Sequence, residues 1–108
     1  MRTFGLSHDD ARTTPVSRLR YDACISVSGD VSASEPFELR TLEGGRFAVA
    51  MHRGPYENLG ETYAQLLDRW LPESGEQPRS APCMEFYMND PSTVLPEDLL
   101  TELWVPLA

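Results

Sequence analysis

One carboxylate raises the chemical question in this chain. The stretch PCMEFYMNDP, residues 82–91, read as a strand, puts Met84, Phe86 and Met88 on one face and Cys83, Glu85 and Tyr87 on the other. A negative charge set mid-strand beside an aromatic ring is costly to bury without a partner. A ligand with a delocalised positive charge offsets that cost. The rings of Tyr87 and Trp104, the latter in TELWVPL (101–107), would attract such a cation by about 0.5–2 kcal/mol each. The competing reading is a structural carboxylate, solvated or paired with an arginine such as Arg20 or Arg46, beside rings that only pack. Tyr56, directly after Gly54-Pro55, either packs or borders such a ligand site.

Other candidate chemistry is thin. His8 and His52 are potential general bases, but no Ser or Cys nucleophile is identifiable with them. His8-Asp9-Asp10 reads as a loop turn rather than a metal site. Cys24 and Cys83 lack C-x-x-C spacing and read as small core hydrophobes. Glu57 and Glu61 read as a solvated helix face near a positive dipole end. There is no phosphate-cradling loop, zinc spacing or nucleotide fingerprint, so neither metal nor cofactor is expected and no catalytic residue is assigned.

The elements that must position Glu85 follow from pattern. A chain of 108 residues, 41% hydrophobic and 24% charged, is expected to fold as one soluble domain spanning 1–108. The net charge of −8, with no run of basic residues, argues against nucleic acid as a partner. The absence of a long apolar run argues against a membrane, and MRTFGLSHDD lacks the apolar core of a signal peptide, so the cytoplasm is expected. Residues 8–19 read as a loop and 20–28 as a strand in which Tyr21, Ala23, Ile25 and Val27 alternate with polar residues. A polar connection, 29–36, leads to a strand over about 37–51 with a bend at Gly44-Gly45.

Gly54-Pro55 then opens a helix whose apolar stripe is Leu59, Tyr63, Leu66, Leu67 and Trp70, and which Pro72 is expected to stop. After a loop at 72–81 come a strand at 82–89, a Pro-rich connection at 90–99 and a last strand at 101–107. The order predicts an α+β fold, an antiparallel sheet covered by a single main helix. If Leu103, Val105 and Leu107 share the helix-covered face with Met84 and Phe86, the other face gathers Glu85, Tyr87 and Trp104.

Five segments in this order, GLSHDD (5–10), RYDACISV (20–27), GGRFAVAMHRGPYENLGETYAQLLDRWL (44–71), PCMEFYMNDP (82–91) and TELWVPL (101–107), resemble the GyrI-like effector-binding domain, also found in AraC-type and MerR-type regulators. The resemblance implies two strand–helix–strand–strand modules about a pseudo-two-fold, with a ligand groove between them. It places an acidic groove residue at Glu85, with Tyr87 and Trp104 along the groove. Family domains begin with a further strand and helix ahead of GLSHDD, so the expected domain is N-terminally short: one complete module preceded by remnant strands of the first. With no DNA-binding domain in this chain, a stand-alone transcription factor is not expected.

The implied function is a stand-alone small-molecule-binding protein for hydrophobic, cationic aromatic ligands. The alternatives are a metal-independent hydrolase of electrophilic, cyclopropane-type natural products, as some family members are described, and an acidic protein-interaction or inhibitor module. A sheet missing a leading strand and helix leaves an open edge and an uncovered apolar face, which predicts a homodimer.

Overall fold

The computed structural model describes residues 2–10, 13–29 and 31–108. Positions 11, 12 and 30 of the expected loops lie outside the described residues. Strands β1 (Thr3–Ser7), β2 (Tyr21–Ile25), β3 (Arg46–Arg53), β4 (Cys83–Tyr87) and β5 (Leu100–Leu107) form one antiparallel sheet in the order β2-β1-β4-β5-β3. The main helix connects β3 to β4 and covers one face, so the fold is α+β. Among the described residues no helix is long and apolar enough to cross a membrane.

Two strand expectations need correction. β1 was not anticipated, because TFGLS is too short for a periodic signal, yet Phe4 and Leu6 bury on one face while Gly5 sits on the other. The strand expected over 37–51 begins only at Arg46. Before it, Gly45 takes φ 140°, a conformation open to glycine, and the Arg79 guanidinium donates to the Gly44 carbonyl at 3.0 Å. The chain at 41–43 folds instead over the sheet, near Leu6, Phe47, Met84 and Pro106.

The helix also departs from its predicted course. It opens with a 3-10 turn (Tyr56–Asn58), runs as α1 (Leu59–Ala64), widens to a π segment (Gln65–Trp70) and ends as α2 (Leu71–Ser74) at Gly75, φ 78°. Pro72 therefore does not stop it. Proline lacks an N–H and crowds the carbonyl four residues back, and the wider π turn directly before it relieves both demands. The same widening rotates Trp70 out of the buried stripe, which continues through Leu66, Leu67 and Leu71. The helix is tied to β3 by buried His52. Its Nε2–H donates to the Pro55 carbonyl (3.0 Å), leaving Nδ1 to accept from the Thr62 hydroxyl (2.6 Å). That histidine is structural.

Pairing register decides which side chains share a face. β4 and β5 place Glu85 opposite Leu103, Tyr87 opposite Thr101, Met84 opposite Trp104 and Phe86 opposite Glu102. Opposed residues point the same way. Leu103, Val105 and Leu107 therefore lie with Glu85 and Tyr87 on the helix side, where Val105 and Leu107 pack with Ala48 and Leu66. Trp104 lies with Met84 and Phe86 on the rear face. The expected grouping of Glu85 with Trp104, away from the hydrophobic core, is thus overturned: Glu85 lies at the margin of the core.

The hairpins β1–β2 and β4–β5 repeat one another. His8 N–H bonds the Arg20 carbonyl as Met88 bonds Leu100; Thr13 bonds Asp10 as Thr93 bonds Asp90; Arg18 bonds Pro15 as Asp98 bonds Leu95. Corresponding residues differ by 80 in number. Since Gly5 pairs with Glu85 where β1 meets β4, the local two-fold passes between them and makes Gly5 the counterpart of Glu85.

Candidate ligand-binding site

All four tyrosines of the chain gather here, two reaching the Glu85 carboxylate and two standing against Tyr87. From the helix, the Tyr63 hydroxyl donates to Glu85 Oε1 at 2.9 Å, and from β4 the Tyr87 hydroxyl reaches Oε2 at 3.5 Å. The Tyr21 hydroxyl on β2 contacts that of Tyr87. The Tyr56 ring, in the first helical turn, stands edge-on to Tyr87 with centroids 5.5 Å apart. Gly5 supplies the room: a Cβ there would overlap the Tyr21 ring, which lies across the glycine.

The electrostatics follow from burial. Glu85 is 9% exposed, and desolvation raises its pKa, partly countered by the Tyr63 and Tyr87 hydrogen bonds to the carboxylate. Burial and the nearby carboxylate push both of those phenols up, so they remain protonated donors. Tyr21 and Tyr56 are raised too, chiefly by desolvation. Burial and Glu85 push the Cys83 thiol up to about 11, consistent with an inert core group.

The arginines proposed as structural partners of Glu85 are engaged elsewhere, Arg20 with Asp9 at 3.0 Å and Arg46 with Glu76 at 2.8 Å. Among the described residues no cationic side chain forms an ion pair with Glu85. His8 bonds Asp22 at 2.7 Å, and the described residues hold no group of three or more metal-ligating side chains.

Of the residues singled out in the sequence, Glu85, Tyr87 and Tyr56 meet in one place and Trp104 does not. On the rear face its ring packs between Phe86 (5.1 Å) and Phe47 (5.3 Å). That face has its own cations, Arg2 over Phe86 at 4.1 Å and Arg79 over Phe47 at 5.3 Å. Tyr21 and Tyr63 were missed as site residues because each fits an apolar stripe. That both meet β4, Tyr21 at Tyr87 and Tyr63 at Glu85, emerges only once β2 and the helix are in place.

A sheet face half covered by one helix, with a carboxylate and tyrosines along the seam, agrees with the sequence profile that matches residues 1–108, that of the GyrI-like small molecule binding domain. The chain belongs to this GyrI-like family. It is 38% identical to the probable transcriptional regulator YgiV of Escherichia coli K12 over 108 residues, covering 99% of this chain and 68% of that protein. A DNA gyrase inhibitor of Erwinia billingiae is 27% identical over 107 residues, covering 96% of this chain and 68% of the relative.

Two solved structures from Listeria innocua resemble the GyrI-like chain. One is an uncharacterized conserved protein (TM-score 0.57, 20% identity, 91% of this chain) and the other a hydrolase (TM-score 0.55, 19% identity, 90% of this chain). The chain spans 40% and 41% of those two proteins, and at such identities the likeness is one of fold.

Proposed function

We propose that this GyrI-like domain binds hydrophobic, cationic aromatic small molecules, with Glu85 reading the charge. One observation carries the reading: a carboxylate almost wholly removed from water is met by hydroxyls but, among the described residues, by no cation. An ion in that position is costly, and a ligand cation offsets the cost. Tyr87 and Tyr56 offer ring faces, Tyr21 a partly exposed wall, and Tyr63 orients the carboxylate. Next to this cluster on the same sheet face, the helix-side residues Tyr21, Ala23 and Ile25 of β2 are exposed and suited to the flat body of a ligand. Trp104 is left out of the proposed cage. A cytoplasmic setting belongs to the same proposal.

Replacing Glu85 with Gln tests it. A hydrogen bond to a charged group is worth about 1.5–3 kcal/mol, so calorimetry should show affinity for a lipophilic aromatic cation falling roughly ten- to a hundredfold. Affinity for a neutral isostere should hardly change. Equal cation affinity in both proteins would remove the reading. A second reading, an acidic inhibitor module, is supported by the relatives named DNA gyrase inhibitor. A stable complex with a macromolecule, indifferent to Glu85→Gln, would favour it.

A further inference from the structure

The outer edge of β3 carries a second surface, distinct from the Glu85 site. Gly54 N–H donates back to the Leu99 carbonyl, while Pro106, opposite Phe47, turns its carbonyl away to Arg79. The even-numbered residues of β3 therefore carry the bonds to β5. Phe47, Val49, Met51 and Arg53 turn their N–H and C=O groups to solvent. Natural edges are commonly blunted by lysine, proline or a bulge, and RFAVAMHR has none of these between its terminal arginines. Beside it runs a concave surface of about 690 Å3, roofed by Gln65 and Trp70 of the helix. Trp70 is 44% exposed there, and on the rear face of the same edge Val49 and Met51 are 49% and 51% exposed.

We propose that this edge pairs with the β3 edge of a second copy, about a two-fold at Val49. Such pairing opposes residues symmetrically about Val49. On the rear face it sets Phe47 against the other copy's Met51, and Val49 against Val49. On the helix side it sets Ala48 against Ala50, leaving space beneath the two helices. The outward groups of Phe47, Val49 and Met51 then meet outward groups of the other strand, as antiparallel pairing requires.

Charge on the helix is complementary about the same centre. Gln65 lines the same concavity as Ala48, Val49 and Ala50, which sets it beside the proposed axis. Glu61, Gln65 and Arg69 follow one another at spacing four, all exposed, and among the described residues neither Glu61 nor Arg69 has an ion-pair partner. An antiparallel two-fold through Gln65 brings Glu61 of each copy to Arg69 of the other. The helices would lie two strand spacings apart, about 10 Å, which is the ordinary distance for packed helices. The homodimer expected from sequence is thus proposed on β3, rather than through the shorter β2 at the opposite edge.

Sedimentation of the full chain tests the proposal. A species of twice the 12.1 kDa chain mass is expected at micromolar concentration. Val49→Pro removes an N–H that faces solvent in the single chain, at an edge position where proline is tolerated, and should yield the 12.1 kDa species with a nearly unchanged circular dichroism spectrum. Glu61→Arg should raise the dimer dissociation constant at least about tenfold, and adding Arg69→Glu should restore it, a rescue that a fold defect would not show. Ala23→Pro, at the outward face of β2, should leave the dimer intact. A single 12.1 kDa species throughout, or a dimer lost by Ala23→Pro but kept by Val49→Pro and Glu61→Arg, overturns the proposal.

Discussion

The two hairpins share a backbone plan and meet different fates. In β4–β5, Leu103, Val105 and Leu107 are buried, the last two against the helix residue Leu66. Their counterparts in and just after β2 are Ala23, Ile25 and Val27, and all three are exposed. Hydrogen bonding does not separate the two, since the turns match bond for bond. The helix does. One hairpin becomes core because a helix lies on it, and the other remains an open wall because, among the described residues, nothing does. Glu85 stands where covered and uncovered halves meet, and its counterpart is a glycine. The local symmetry is thereby broken at its axis: one carboxylate instead of two, with Tyr21 lying over the vacant side. A second carboxylate across the axis would raise the pKa of the first and repel it.

The largest expected difference is in stability at matched positions. Leu107 is 6% exposed and its counterpart Val27 53% exposed. Leu107→Ala should cost about 2–5 kcal/mol, from lost burial and the cavity left behind. Val27→Ala should lie within roughly 0.5 kcal/mol of the parent. Urea unfolding of both variants checks this, and comparable losses would mean that the β1–β2 hairpin is as covered as its twin.

The axis itself gives the second test. Gly5→Ala must displace the Tyr21 ring, an overpacking that should cost about 1–3 kcal/mol and break the contact between Tyr21 and Tyr87. Because the displaced ring is a proposed wall of the ligand site, cation affinity should fall with stability. If Gly5→Ala is as stable as the parent, the ring does not rest on this glycine.

Much of this comparison was legible in the sequence, and what was missed shares one cause. Alternation in PCMEFYMNDP separated Glu85 and Tyr87 from Met84, Phe86 and Met88, and alternation in TELWVPL separated Trp104 from the leucines. Both separations stand. A period of two does not say which side of one strand matches which side of the next, because that phase is set by register between distant segments. The register paired Glu85 with Leu103 and so sent Trp104 to the rear face. Tyr63 hid in the helical stripe for the same reason: the stripe tells which way a residue points, not which strand it meets. Pro72 misled differently, since the rule that proline ends a helix assumes α geometry and a π turn evades it. The repeat itself passed unread, with Asp10, Thr13 and Leu19 recurring at Asp90, Thr93 and Leu99 but most other positions diverged.

The smallest expected effect is the most specific to the seam. Burial raises the pKa of Glu85 in the folded chain above its ordinary value of 4.5, so the folded state holds its proton to higher pH than the unfolded state does. Below the ordinary value both states are protonated, and the group's contribution to stability is fully present. As pH rises through the raised pKa, the unfolded carboxyl has already ionised, and ionising the folded one forces a charge into a poorly hydrated place. Stability from this group is therefore lost with rising pH. Asp9, held below the usual carboxylate range by its hydrogen bond to Arg20, has the opposite sign and loses its contribution as pH falls. Glu85→Gln should abolish the first effect and leave the second, so the variant should match the parent in acid and exceed it modestly near neutrality. A bound cation favours the ionised carboxylate, so cation affinity in the parent should climb with pH over the same window, with proton release on binding. Urea midpoints and calorimetry from roughly pH 4 to 8 would show both trends. Parent and variant curves that run parallel across the window would mean that Glu85 is hydrated after all, and that the seam between the hairpins holds no stored charge for a ligand to meet.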